Sequence, residues 1–169
     1  ADLVAHGIHE DSQWEVKSAE IRSATGDLIG ANENEIAFIR NTSHGLALVA
    51  EGIDWNPGDE VAVCTSIEYP SNIYVWENLE RHGVKLVEIP CMEEGVTVDA
   101  VRSVLTAKTR LVAVSAVQYA TGYKTDLKAL GTLCNETDTL LCVDGIQIIG
   151  SSPLNVKELG IHFLSADSH

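Results

Sequence analysis

The chain has 169 residues, 45% of them hydrophobic and 21% charged, which is ordinary for a globular protein and enough for one domain with a real core. Its 25 acidic and 11 basic residues give a net charge of −14, which argues against a nucleic-acid or anionic-membrane partner, since either calls for a basic face. An anionic cofactor stays open, because backbone amides at helix N-termini bind phosphate without net positive charge. No apolar run reaches membrane-spanning length, and the N-terminus has no signal-peptide layout. The four cysteines, Cys64, Cys91, Cys134 and Cys142, include no Cys-x-x-Cys pair. They are expected to be buried free thiols in a reducing compartment, hence a cytoplasmic protein.

Residues 1–34 read as the helical lead-in of a longer chain. Trp14, Ile21 and Leu28 recur on one helix face, and Gly26 is expected to interrupt or end that helix. Residues 35–39 form a short strand or the approach to a helix. Thr42 and Ser43 then stand at the N-terminus of a helix striped by Leu46, Leu48, Val49 and Ile53. They are either plain caps or, with free amides and the helix dipole, an anion site. Strands are expected over 61–67, 84–89, 110–117, 140–143 and 163–166. Helices are expected over 71–82, 98–105 and 127–136, with a loop and short helix over 151–159. This alternation predicts an α/β fold, a three-layer wound, mostly parallel sheet.

The run Leu140-Leu141-Cys142-Val143 has no polar residue alternating within it, the pattern of a central parallel strand covered on both faces. It ends at Asp144 and Gly145. A carboxylate there is either a turn or helix cap or a ligand-binding group, because open α/β sheets bind ligands at the carboxyl ends of their strands. Gln147, two residues beyond Gly145, offers an amide donor and an acceptor. Four loops at expected strand carboxyl ends carry polar or aromatic groups toward that edge: Thr42-Ser43, Glu68-Tyr69, Gln118-Tyr119 and Asp144–Gln147. The sequence has no glycine-rich dinucleotide or P-loop fingerprint and no Gly-x-Ser-x-Gly elbow. Its six histidines do not pair at metal-ligand spacing, so no metal site is expected.

Arg-Asn-Thr-Ser-His-Gly-Leu at 40–46, Glu-Tyr-Pro-Ser-Asn at 68–72, Val-Asp-Gly-Ile-Gln at 143–147 and Ala-Asp-Ser-His at 166–169 occur in this order. Their spacing resembles that of the class V aminotransferase family, which includes cysteine desulfurases and selenocysteine lyases, pyridoxal-phosphate (PLP) enzymes of fold type I. The resemblance covers residues 35–169, which it implies are a partial PLP-binding large domain. It implies that Asp144 pairs with the protonated pyridine nitrogen and that Gln147 hydrogen-bonds the ring's phenolic oxygen. Thr42 and Ser43 would hold the phosphate, and Tyr69 would stack on the ring. His169 matches the residue just before the Schiff-base lysine. That lysine would be residue 170, so the 169 residues by themselves are not expected to turn over substrate. Asp167 stands where the family often has a phosphate-binding Ser or Thr, which leaves that role to Ser168 or a backbone amide. Cysteine desulfurases of the family typically carry His at the place of Tyr69, which can stack but is a poor proton shuttle near neutral pH. Tyr119 stands where many of them have Asn.

The resemblance thus implies a PLP-dependent enzyme acting on an amino acid, cysteine desulfurase- or selenocysteine lyase-like or of another class V activity, and a homodimer when complete. The alternative is a non-catalytic α/β binding module, or a degenerate paralogue that kept the cofactor pocket.

Overall fold

The computed structural model describes residues 11–91 and 95–167, which divide between Phe38 and Ile39 into two compact units. The first unit holds α1 (Asp11–Ile29) and a 3₁₀ turn over Glu33–Glu35. Gly26 does not end α1. The helix runs three residues further and closes at Gly30, which takes the left-handed φ of +71° that favours glycine. The room at Gly26 is used by the returning chain, where Ala31 N–H donates to the Gly26 carbonyl at 2.9 Å. Trp14, Ile21 and Leu28 are exposed. The Arg22 guanidinium lies 4.6 Å from the centre of the Phe38 ring. Residues 36–39 are not a strand but the approach to the next helix.

The second unit runs through α2 (Thr42–Gly52), β1 (Glu60–Val63), α3 (Ser71–Glu77), β2 (Lys85–Glu88), α4 (Val98–Val104), β3 (Thr109–Ser115), α5 (Leu127–Glu136), β4 (Leu140–Asp144), α6 (Val156–Leu159) and β5 (Phe163–Ser165). The five strands pair in the order β2-β1-β3-β4-β5, all parallel. Successive side chains of a strand point to opposite faces, and here both faces are apolar. Val61, Val63, Leu111, Ala113 and Cys142 face Leu46 and Ala50 of α2, Trp76 of α3 and Leu79. The alternate residues Ala62, Val112, Val114, Leu141 and Val143 are also fully buried, on the side where α5 packs against β4. The result is the three-layer architecture expected. The strand that carries Asp144 is interior but not the middle one, which is β3.

Element ends differ from the sequence reading for local reasons. The strand expected over 61–67 stops at Val63, because the Ile67 and Glu68 amides turn back onto the Cys64 carbonyl. The helix expected over 71–82 is α-helical only to Glu77. It tightens to a 3₁₀ turn over Asn78–His82 and closes at Gly83, where φ is +76°. α2 is capped by Asn41, whose side-chain oxygen accepts from His44 N–H at 2.9 Å, so Thr42 and Ser43 are first-turn residues rather than caps. Two cysteines also depart from expectation. Cys64, just after β1, and Cys91, beyond β2, are joined as a disulfide across 6.5 Å between their Cα atoms, within the usual span for such a bond. Cys134 and Cys142 are buried free thiols as expected.

Candidate functional site

The strand order reverses at β1: its successor β2 lies on one side and β3 on the other. Open parallel sheets bind ligands in the crevice that such a reversal leaves at the carboxyl edge. The loops after β1, β3 and β4 all reach that edge. The fourth group, Thr42-Ser43, follows no strand and arrives by another route. Ser165 ends β5 and donates its hydroxyl to the Thr42 carbonyl at 3.0 Å. A side chain on Gly45 would collide with that same Ser165 hydroxyl, so glycine lets the first turn of α2 seat on the end of β5.

The register of the sheet orders the site. Asp144 sits opposite Ser115 of β3 on one side and Ser165 of β5 on the other. At a strand spacing of about 4.8 Å the three Cα atoms form a row roughly 10 Å across. Each flanking serine ties a further group to the row. Ser165 holds Thr42, as above. Ser115 donates both its amide, at 2.9 Å, and its hydroxyl to the carboxylate of Glu68. Glu68 also accepts from Gln118 Nε2 at 2.6 Å and from Asn72 Nδ2 at 3.0 Å, and Asn72 Oδ1 accepts from Trp76 Nε1 at 3.0 Å. Every member of this network is buried.

Asp144 is only 3% exposed. Burial pushes its carboxyl up from 3.8 to about 6; the Ile146 amide, donating to Oδ1 at 3.0 Å, pulls it down, and the charge of Glu68 pushes it up again. The ion pairs Lys17–Glu20, Arg81–Glu51 and Arg110–Asp59 involve neither carboxylate. A cation at this edge would therefore meet two buried acceptors. Two buried polar atoms among the described residues lack a hydrogen-bond partner, Thr42 Oγ1 and Gln118 Oε1. They belong to the groups at the two ends of the row. Thr42 Oγ1 stands in the first turn of an 11-residue helix, where free amides and the dipole favour an anion.

At the rim the rings of Tyr69 and Tyr119 are half exposed and meet edge to face, with centroids 5.1 Å apart and planes at 85°. Ser43 and Gln147 are exposed at the same edge, on the first turn of α2 and the turn after β4. Ser168 and His169 lie outside the described residues, and Asp167 is exposed. The sequence reading singled out Asp144 and Thr42 but missed the Glu68 network and both flanking serines. The signal was present. Ser115 is a polar residue inside the apolar run 111–117, and Ser165 follows the apolar pair Phe163-Leu164.

The aminotransferase class-V family model matches residues 3–169. A probable cysteine desulfurase of Pyrococcus abyssi is 36% identical over 172 aligned residues, which cover 98% of this chain and 42% of that protein. An uncharacterized aminotransferase, YcbU, of Bacillus subtilis is 28% identical over 94% of this chain and 43% of its own length. Among solved structures, the apo cysteine desulfurase of Thermococcus onnurineus superposes with a TM-score of 0.86 at 31% identity, over 95% of this chain and 41% of that one. The chain thus spans about two fifths of the length of these relatives.

Proposed function

The chain belongs to the aminotransferase class-V family, and we propose that the protein it builds is a PLP-dependent enzyme acting on an amino acid, cysteine desulfurase- or selenocysteine lyase-like or of another class V activity. The observation that carries this reading is the row at the carboxyl edge. A buried carboxylate with raised proton affinity, Asp144, is joined through Ser165 to a helix N-terminus bearing an unpartnered hydroxyl, Thr42 Oγ1. A basic ring nitrogen suits the first group and a phosphate suits the second, so the residues present fit pyridoxal phosphate. When bound, that cofactor supplies an electron sink for negative charge developing on the amino acid's α-carbon.

The chain's own residues supply the setting. The Ile146 amide fixes Oδ1 of Asp144, and the carboxylate holds a proton on the ring nitrogen by charge pairing in a site screened from water. Thr42 Oγ1 and the first amides of α2 bind phosphate oxygens, with Ser43 beside them. Tyr69 covers a ring face, and Gln147 serves the phenolic oxygen. Ser168 and His169 complete the proposed set.

The proposal extends to a homodimer, supported by Leu48 of α2 and Tyr74 of α3, large apolar side chains that are 51% and 65% exposed. The Cys64–Cys91 disulfide counts against the reducing, cytoplasmic compartment expected from the sequence, because such bonds are rare there. No helix of the described residues is long and apolar enough to cross a membrane. The test is Asp144→Asn in the protein expressed from its complete reading frame. Cofactor should stay bound while turnover on cysteine or selenocysteine falls sharply. Near-normal turnover would overturn the role of Asp144, and a parent protein that takes up no pyridoxal phosphate would overturn the whole reading.

A further inference from the structure

Two stitches join the loops after β1 and β3 across the crevice, one residue apart in each loop. The lower stitch is polar and buried: Gln118 Nε2 donates to Glu68 Oε1 at 2.6 Å, with Gln118 2% and Glu68 3% exposed. The upper stitch is the contact of the next residue in each loop, Tyr69 with Tyr119. The lower stitch has little freedom. Glu68 is held by Ser115 and Asn72 as well as by Gln118. Glu68 is the acceptor in each of these bonds, and the amide of Gln118 turns its NH₂ inward to it.

The backbone of the second loop is closed in the same way. Gln118 N–H donates to the Tyr123 carbonyl at 2.9 Å, and Gly122 N–H donates to the Gln118 carbonyl at 2.8 Å, with Gly122 at a φ of +72°. On the other side, the Asn72 amide donates to the Tyr69 carbonyl at 2.8 Å, which fixes the start of α3. Both tyrosines are half exposed, at 52% and 53%, so burial does not hold their rings. What holds them is each other and the stitch beneath. In an edge-to-face pair one ring meets its neighbour's face with its rim. Whichever ring presents the rim, at least one face of Tyr69 is left uncovered by Tyr119.

We propose that Tyr119 is a positioning residue: it braces the Tyr69 ring edge to face, in a register set by the Glu68–Gln118 hydrogen bond, so that Tyr69 offers a fixed open face to a planar aromatic ligand. The inference rests on the cofactor reading above and deepens it, because it assigns to Tyr119, Gln118 and Glu68 the work of orienting the one ring that stacks. A free Tyr69 would have to give up its rotamer freedom on binding. A braced one has given it up already, and affinity rises accordingly.

The experiment is a double-mutant cycle in the protein from the complete reading frame, with pyridoxal phosphate as the probe. Tyr119→Leu should weaken cofactor binding about threefold to tenfold, the range of an aromatic pair, while Tyr119→Phe, which keeps the ring, binds as the parent does. In a Tyr69→Leu background, Tyr119→Leu should have no further effect. A second readout needs no cofactor. The near-ultraviolet circular dichroism of the paired tyrosines should fall in Tyr119→Leu and equally in Gln118→Met, which cuts the lower stitch but leaves both rings. Additive effects in the cycle, or loss of binding in Tyr119→Phe, would overturn the brace. An unchanged tyrosine signal in Gln118→Met would overturn the role of the stitch. If the parent itself binds no pyridoxal phosphate, the cofactor reading and the open face fall together. If the parent binds and the cycle is additive, only the brace falls.

Discussion

Asp144→Asn in the cofactor-free protein should make folding more stable, and by an amount that depends on pH. The carboxyl of Asp144 is raised from 3.8 to about 6, first by burial. A raised acid disfavours its charged form in the folded state. Below pH 3.8 the group is protonated in both states and costs nothing. Between pH 3.8 and 6 the unfolded chain ionises and the folded one does not, so stability falls as pH rises. Above pH 6 the full cost is present. Two units at ~1.4 kcal/mol each give about 3 kcal/mol. Asparagine is isosteric, cannot ionise, and keeps an Oδ1 for the Ile146 amide. The stability gap between variant and parent should thus grow from near zero at pH 4 to about 3 kcal/mol at pH 8, or a midpoint difference of about 1–2 M in urea. Urea titrations followed by far-ultraviolet circular dichroism across that pH range provide the assay. Adding pyridoxal phosphate should then stabilise the parent more than the variant, because only the parent offers the ring nitrogen a charge. A gap that is constant from pH 4 to 8, or a variant less stable than the parent at pH 8, would refute the reasoning.

Glu68→Ala removes the acceptor of four buried donors, on Asn72, Gln118 and twice on Ser115, and should cost about 3–5 kcal/mol in urea unfolding, with Glu68→Gln costing less. Parent-like stability in the alanine variant would contradict the network. Gly131→Ala would drive a side chain into the Leu159 carbonyl. It should lower the thermal midpoint by pushing α5 off the turn that follows α6, at a cost of about 1–3 kcal/mol. Burial pushes the thiol of Cys134 up to about 11 and that of Cys142 higher still, so neither should react with a thiol reagent at pH 8 until the protein unfolds. Rapid stoichiometric labelling of either in the folded state would show that it is not buried.

Much of the fold was legible because it rests on local pattern. The apolar run from Leu140 to Val143 is covered on both faces, and the helix expected over 127–136 has those bounds in the structure. Asp144 was legible as a polar residue that stops such a run. What escaped depends on pairs far apart in sequence. Nothing near Thr42 says that Ser165, 123 residues on, will hold it. Nothing near Glu68 says that its donors lie 47 and 50 residues away. The Cys64–Cys91 bond was hidden for the same reason: no motif spaces the two residues, and the sheet brings their strand ends together. Gly26 misled because a glycine's cost inside a helix is small enough for the closing turn at Gly30 to override.

The seating of Thr42 on Ser165 also sets an order of events in biosynthesis. α2 is made early and can coil as soon as its residues leave the ribosome. Leu46 and Ala50 can pack on β1, α3 and β3 as those form, but the Ser165 hydroxyl that ties down Thr42 comes more than a hundred residues later, with β5. Only when the fifth strand docks does the hydroxyl of Thr42 acquire a fixed place relative to Asp144. A ligand that needs both residues, as the proposed cofactor would, could therefore be held only after β5 has docked.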